Sequence, residues 1–176
     1  QQRRLAAWLR DSGYEVVETR EPGGSPGAEQ IRQLLVTGEA GRWDSLTEAL
    51  LHFAARREHL IRTVEPALAR GAWVVCDRFA DSTMAYQGYG QGLGRETIER
   101  LYDVVVGATR PDLTLVLDLP VAEGLARSRA RAGAEAHDET RYESMDLAFH
   151  QRLRDGFHDI AAREPRSLVM DATAIL

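Results

Sequence analysis

Short apolar segments of strand length alternate along this chain with longer segments of helical periodicity, and this alternation limits the folds open to it. The strand-like segments lie at 15–19, Trp73–Asp77, 113–118 and Ser167–Asp171. A segment that is apolar almost throughout, such as 113–118, is typical of a parallel sheet buried on both faces. The pattern therefore predicts an α/β fold with three layers, α/β/α, around a parallel sheet.

The size of the chain predicts one domain. With 176 residues, of which 44% are hydrophobic, the chain can bury one sizeable core, and no linker, repeat or low-complexity tract divides it. No apolar run approaches the roughly 20 residues that a membrane helix needs, and the first residues lack a signal-peptide pattern. We expect a single domain over 1–176 with a cytoplasmic location and no contact with a membrane.

The charge balance argues against a nucleic-acid partner. The chain has 27 acidic and 22 basic residues, a net charge of −5, whereas nucleic-acid surfaces normally carry a clustered basic excess. All the basic residues are arginine. A phosphate-binding loop of the form G-x-x-x-x-G-K-[ST] requires a lysine, so this pattern is absent from the sequence.

The start of the longest helical pattern carries a local capping signal. Ser45 and Glu48, three residues apart, predict a capping box, and Pro66 is expected to bend or divide the helix that follows.

Polar residues follow the second strand-like segment directly, beginning with Asp77 and Arg78. Ligands of open α/β sheets bind outside the carboxyl ends of the strands, and a guanidinium there can hold a phosphate through two parallel N–H bonds. Thr83 and Gln87, four residues apart, add donors and acceptors that suit the polar edge of a base. These residues predict a site for a phosphorylated small molecule, although an Asp–Arg ion pair that only ends the strand is the alternative.

Five blocks in order along the chain resemble those of bacterial thymidylate kinases, and together they cover nearly its whole length. They are residues 20–24 (Arg-Glu-Pro-Gly-Gly), 53–57 (Phe-Ala-Ala-Arg-Arg), 77–79 (Asp-Arg-Phe) with 82–88, 110–119 and the arginine-rich 127–143. The resemblance implies a P-loop NTPase-like fold and transfer of the γ-phosphoryl group of ATP to dTMP, with Mg²⁺, in a homodimer. In that family the phosphate-binding loop ends just before a helix that begins like residues 1–5. The first strand and the phosphate loop are therefore expected to be absent from this chain, with the loop immediately upstream of Gln1.

The resemblance assigns several residues to the dTMP base and sugar. Phe53 and Arg57 share one helix face, so a ring could stack on thymine while a guanidinium donates to its carbonyl; a core position is the alternative for Phe53. Thr83 and Gln87 would read the base. Tyr86 resembles a family tyrosine that blocks a ribose 2′-hydroxyl.

The phosphate of dTMP is assigned to Arg78, with Arg32 as a possible second guanidinium. By the same resemblance, Glu143 contacts the region of the sugar. Asp77 is expected to hold the water shell of Mg²⁺, because a hard divalent ion keeps several waters and takes few carboxylates.

The arginine-rich segment 127–143 resembles a lid over the ATP side. Arg127 and Arg131 match ATP-binding positions, and Arg131 and Arg141 join Asp77 and Arg78 as the expected catalytic residues. Phosphoryl transfer depends on positioning and positive charge, which arginines of a closing lid can supply. For Arg141, pairing with a nearby glutamate is the alternative.

Two other functions fit parts of this pattern. The same scaffold could serve a kinase for another deoxynucleotide or a nucleoside. A nucleotide-binding module without catalysis is the second alternative, because the sequence lacks the lysine of a phosphate-binding loop.

Overall fold

Four strands form two parallel two-stranded sheets in the structure, a computed structural model that describes residues 1–39, 41–132, 141–142 and 144–174. The strands are β1 (Val16–Arg20), β2 (Trp73–Asp77), β3 (Thr114–Asp118) and β4 (Ser167–Asp171). β1 pairs with β2 and β3 pairs with β4, both in parallel. All four predicted strands and the parallel direction within each pair are confirmed, but burial of the sheet on both faces is not, since Leu115 and Leu117 of β3 are 39% and 46% exposed.

Helices connect the strands, as the alternating pattern predicts. They are α1 (Gln2–Asp11), α2 (Pro26–Val36), α3 (Ser45–His59), α4 (Glu65–Ala69), α5 (Ala80–Thr83), α6 (Arg95–Val105), α7 (Val121–Ala132) and α8 (Leu147–Arg163). Two wide π-helical segments, Leu60–Val64 and Met84–Gly90, follow α3 and α5. None of the helices in the described ranges has the length and apolar character needed to span a bilayer.

The start of α3 differs from the capping-box prediction. Asp44, one residue earlier than predicted, is the N-cap, and its carboxylate accepts the backbone N–H groups of Leu46 and Thr47 at 3.0 and 3.1 Å. Glu48 is fully buried and does not act as part of the cap. Pro66 lies in the first turn of α4, just after the first π-helical segment, and the backbone stays helical through Val64 and Glu65, so the helix changes type at this point without a break.

The main hydrophobic core lies where α3, α6, α8 and the π-helical segment Met84–Gly90 meet. Phe53, Ile98 and Phe149 are each 1% exposed, and Leu60 is fully buried. Burial of an apolar side chain of this size contributes about 1.5–3 kcal/mol. The core therefore fixes one face of α3 against the segment that carries Gln87, so that the polar residues beside it are held in place.

Candidate functional site

A cleft opens beyond the carboxyl end of β2. The turn after β1, helix α3, the segment from Arg78 to Gln87, and residues 141–142 form its walls. Five of the predicted site residues line it: Arg78, Thr83, Tyr86, Gln87 and Arg141. Five more polar or charged residues, which were not among the predicted site residues, line it as well: Glu21, His52, Arg56, Ser82 and Tyr142.

Arg78 follows β2 in an unusual backbone conformation. Its φ is +70°, in the left-handed region that non-glycine residues rarely adopt and that costs of order 1–3 kcal/mol. Nε of Arg78 donates to the backbone carbonyl of Glu21 at 3.1 Å, which ties it to the turn after β1. The adjacent Asp77 has an exposed side chain and does not line the cleft.

The guanidinium on α3 that reaches the cleft belongs to Arg56, so the assignment of Arg57 was wrong. Arg56 is 2% exposed, whereas Arg57 is exposed and donates to the backbone carbonyl of Val105 at 3.4 Å. Arg56 donates through Nε to Glu21 at 2.8 Å and through Nη2 to Thr83 Oγ1 at 3.0 Å. This side chain is therefore held from two sides.

Phe53 does not line the cleft either, which corrects its assignment as the ring that stacks on a base. Its ring is 1% exposed, belongs to the core cluster and lies under the guanidinium of Arg56, whose Cζ is 4.8 Å from the ring centroid. The aromatic ring of α3 that does line the cleft is that of His52, one helical turn before Arg56. The pair with i, i+4 spacing exists, but one residue earlier than predicted.

Spacing along the sequence does not separate Arg56 from Arg57. Ala49, Phe53 and Leu60 are buried, and residue 56 lies three after Phe53 and four before Leu60, while residue 57 lies four after Phe53 and three before Leu60. Residues at either spacing share a helix face. The spacing therefore indicates a charged residue near the buried face of α3 without identifying which of the two it is.

A buried acid–base cluster sits behind Arg56. Both carboxylate oxygens of Glu21 are engaged, Oε2 by Arg56 and Oε1 by Nδ1 of His59 at 2.9 Å. Because a carboxylate only accepts, Nδ1 of His59 donates, and Nε2 lies 2.7 Å from the hydroxyl of Thr19. All four residues are buried. Removing one partner of such a buried ion pair typically costs about 3–5 kcal/mol, so the cluster holds Arg56 firmly.

Three buried polar atoms of cleft residues have no hydrogen-bond partner within the described part of the chain. They are Nη1 of Arg56 and Nε of Arg141, which are donors, and Oε1 of Gln87, which is an acceptor. Buried polar groups are nearly always paired, and leaving one unpaired costs about 1–3 kcal/mol. A ligand that offers one acceptor and one donor would satisfy the pair formed by Arg56 and Gln87.

Arginines give the cleft a positive electrostatic potential, and this potential lowers the pKa of His52. The pKa of His52 is lowered to about 3, first by burial and then by the charges of Arg56, Arg78, Arg141 and Arg32. Its ring is therefore neutral near pH 7. The same potential favours a bound anion such as a phosphate.

The predicted lid residues divide between the cleft and other places. Arg141 is buried, donates to the carbonyl of Leu35 at 3.0 Å and forms an ion pair with Glu48. Arg127 donates to the carbonyls of Ala172 and Thr173 at 3.0 and 2.7 Å, near the end of β4. The side chain of Arg131 and the whole of Glu143 lie outside the described residues, so their predicted roles stay predictions.

Arg32 lies behind the wall of the cleft. This residue of α2 is 5% exposed, and its Nη1 donates to the carbonyl of Pro22 at 2.6 Å. It contributes charge to the cleft without lining it.

The matching family profile and the similar proteins indicate the same family for this chain. Residues 1–175 match the family profile described as thymidylate kinase. The chain is 57% identical over 175 residues to a thymidylate kinase of Caulobacter vibrioides, covering 99% of this chain and 82% of the relative. It is 53% identical over 165 residues to one of Rhizorhabdus wittichii, covering 94% and 78%.

A solved structure agrees with these relatives. The crystal structure of thymidylate kinase from Ehrlichia chaffeensis superposes with a TM-score of 0.75 at 38% identity, covering 96% of this chain and 82% of that one. This similarity confirms the predicted three-layer α/β/α fold of the P-loop NTPase type. On its sequence and its fold alike, this chain belongs to the thymidylate kinase family.

Proposed function

We propose that dTMP binds in the cleft at the end of β2, with its base against α3 and its phosphate at Arg78. The activity itself follows from the family: the chain is a phosphotransferase that moves the γ-phosphoryl group of ATP to the phosphate of dTMP, which gives dTDP and ADP. The remaining question is which residues of this chain perform each part of that reaction.

The observation that carries the proposal is the pair of unpartnered atoms in the cleft. Thymine offers a carbonyl oxygen beside an imide N–H, one acceptor and one donor on neighbouring positions of its edge. Nη1 of Arg56 would donate to the carbonyl, and Oε1 of Gln87 would accept from the N–H. Because both atoms are buried without dTMP, their pairing gives binding energy and penalises a base with the opposite pattern.

Tyr86 would limit the sugar pocket. It lines the cleft and packs edge-on against the rings of Tyr142 and Phe149, with centroid distances of 5.1 and 6.2 Å. A ring held in this way cannot move aside easily. We therefore assign it the role of excluding a ribose 2′-hydroxyl.

The phosphate of dTMP would be held by Arg78 and stabilised by the charges of Arg32 and Arg141. The positive potential that lowers the pKa of His52 acts at the same place. As an oxygen of this phosphate attacks the γ-phosphorus and ADP leaves, negative charge moves between the groups. Fixed guanidinium groups need little rearrangement to stabilise it, which is how this class of reaction is accelerated.

Mg²⁺ would be held beside the cleft by a single carboxylate. The described ranges contain no cluster of three metal-ligating side chains, but Mg²⁺ is commonly held by one or two carboxylates together with phosphate oxygens and waters. Asp77, exposed beside Arg78, would hold the ion and its waters. Bound there, Mg²⁺ would neutralise charge on the transferring phosphates. Arg127 and Arg131 would contact ATP.

We further propose a homodimer, in the cytoplasm where both nucleotide substrates are dissolved. Helices α3 and α6 pack against each other, and each carries exposed apolar side chains. Leu46 and Leu50 are 43% and 48% exposed, and Val104 is 85% exposed. Burying such residues between two copies would remove apolar surface from water.

The substrate assignment is tested by phosphorylation of dTMP, dUMP, dCMP, dGMP and thymidine with ATP and Mg²⁺. We expect dTMP to give the highest kcat/KM and dUMP to be the next best, because losing the methyl group costs only about 1–3 kcal/mol. Turnover of dCMP or thymidine equal to that of dTMP would refute the assignment of the cleft.

A further inference from the structure

We propose that Glu48 is a positioning residue that sets base specificity by fixing the amide of Gln87. The inference rests on the proposed binding of dTMP in this cleft. Glu48 does not line the cleft and would not touch the nucleotide. It would act only through the orientation that it imposes on its neighbour.

The carboxylate of Glu48 is the centre of a buried hydrogen-bond network. Its exposure is 0%, and its Oε1 accepts from Nε2 of Gln87 at 2.7 Å, Nε2 of Gln91 at 2.6 Å and the hydroxyl of Tyr142 at 2.9 Å. Its Oε2 accepts from Nη2 of Arg141. Since an ionised carboxylate is only an acceptor, every partner must present a donor to it.

This requirement determines which end of the Gln87 amide faces the cleft. With its NH₂ group turned to Glu48, the amide directs its carbonyl oxygen the other way, and that oxygen is the buried atom without a partner. The two amide orientations have nearly the same shape and differ only in hydrogen bonding. Glu48 therefore causes Gln87 to present a hydrogen-bond acceptor, rather than a donor, to a base bound in the cleft.

The selected acceptor distinguishes thymine from cytosine. Thymine carries a hydrogen on N3 and can donate to Oε1 of Gln87, whereas N3 of cytosine is itself an acceptor. Two acceptors facing each other in a buried place leave both unpaired. Arg56, with its free donor, adds to the discrimination, because cytosine has an amino group where thymine has a carbonyl.

The substitution Glu48→Gln should reverse the amide of Gln87 with little change in shape. The new amide would turn its oxygen to Arg141, because that guanidinium can only donate. Its NH₂ group would then occupy the place of Oε1 and need two acceptors, which Gln87 and Gln91 can supply by turning over. Gln87 would thereby present NH₂ to the cleft.

The experiment measures binding of dTMP and dCMP by titration calorimetry at fixed salt. We expect the dCMP-to-dTMP ratio of Kd values to fall by about tenfold or more in Glu48→Gln, because one matched hydrogen bond is lost for thymine and one is gained for cytosine. The same substitution is made in a Gln87→Leu background. There the ratio should not respond, because no amide remains to be turned.

The matched control is Gln91→Leu. Gln91 bonds the same oxygen of Glu48 but does not line the cleft, so its loss should leave the ratio of Kd values unchanged. Equal weakening of both nucleotides in Glu48→Gln would overturn the inference, as would a similar fall of the ratio in the Gln87→Leu background. A wild-type protein that fails to prefer dTMP would instead refute the proposed function.

A measurement on the wild-type protein keeps the inference testable if Glu48→Gln does not fold. Nε2 of Gln87 also lies 3.4 Å from the hydroxyl of Tyr142. In the complex with dTMP, NMR should show nuclear Overhauser effects from the amide protons of Gln87 to the ring of Tyr142 and none to thymine. The opposite pattern would overturn the assignment.

Discussion

Arg56 and Arg57, neighbours on α3, allow a sharp test of the cleft, because only Arg56 should affect the binding of dTMP. The change is Arg56→Lys, with Arg57→Lys as the matched control. A lysine at position 56 keeps a positive charge near Glu21, but a single ammonium cannot also reach Thr83 and the cleft. The variant therefore removes the free donor Nη1 while keeping the buried carboxylate paired.

The expected loss can be estimated from that one contact. A hydrogen bond from a charged group contributes about 1.5–3 kcal/mol, which corresponds to about 10- to 150-fold weaker binding of dTMP. The control changes an exposed side chain whose one hydrogen bond, to Val105, is 3.4 Å long. Exposed substitutions of this kind usually change free energies by less than about 0.5 kcal/mol, so binding should change by less than about threefold.

The assay is titration calorimetry with dTMP and, separately, with deoxyribose 5-phosphate, which lacks the base. We expect Arg56→Lys to weaken dTMP strongly and deoxyribose 5-phosphate little, because Arg56 is assigned to the base. Thermal unfolding of each variant shows whether the protein is folded during the titration. If Arg57→Lys weakened dTMP as much as Arg56→Lys, or if both ligands lost affinity equally, the assignment of α3 would be refuted.

Two further residues give independent predictions. Arg78→Ala should weaken dTMP binding by about 100-fold or more, because a bidentate charged contact is lost, and thermal unfolding should be nearly unchanged. Calorimetry measures the affinity and melting curves measure the stability. Normal affinity for dTMP would show that Arg78 does not belong to the site. His52, with a pKa lowered to about 3, takes up a proton more readily in the unfolded chain, so stability falls as pH drops from about 6.5 towards 3. Denaturant unfolding should show His52→Gln losing less stability over this interval, by up to about 1.4 kcal/mol per pH unit, and identical pH profiles would contradict the assigned environment.

The sequence predicts the strands of this fold well because their signal is local. A run of apolar residues such as 114–118 indicates a strand by its composition, and the parallel direction follows from the helices between strands, although Leu115 and Leu117 of this strand are 39% and 46% exposed. The position of Arg78 was also predictable, since a strand end is marked by the change from apolar to polar residues. Each of these inferences needs only neighbouring residues.

The residues that the sequence misassigned depend on contacts far along the chain. Glu48 matched a local capping pattern, yet its hydrogen-bond partners lie 39 to 94 residues away. The residues near Glu48 in the sequence do not indicate which residues these partners are. The choice between Arg56 and Arg57 depends on a rotation of about 100° per residue around the helix. Without the partners Glu21 and Thr83, a neighbouring pair of arginines gives no clear choice.

The wide π-helical segment Met84–Gly90 has a consequence for how base preference can change during divergence. Gln87 lies inside it, after Thr83, which ends α5. Deleting one codon from the start of this segment would move every later side chain by one position around the helix axis and carry the amide away from the cleft, while Thr83 stays in place. Insertions and deletions here, and not only substitutions, would therefore be a route by which such an enzyme loses its discrimination among pyrimidines.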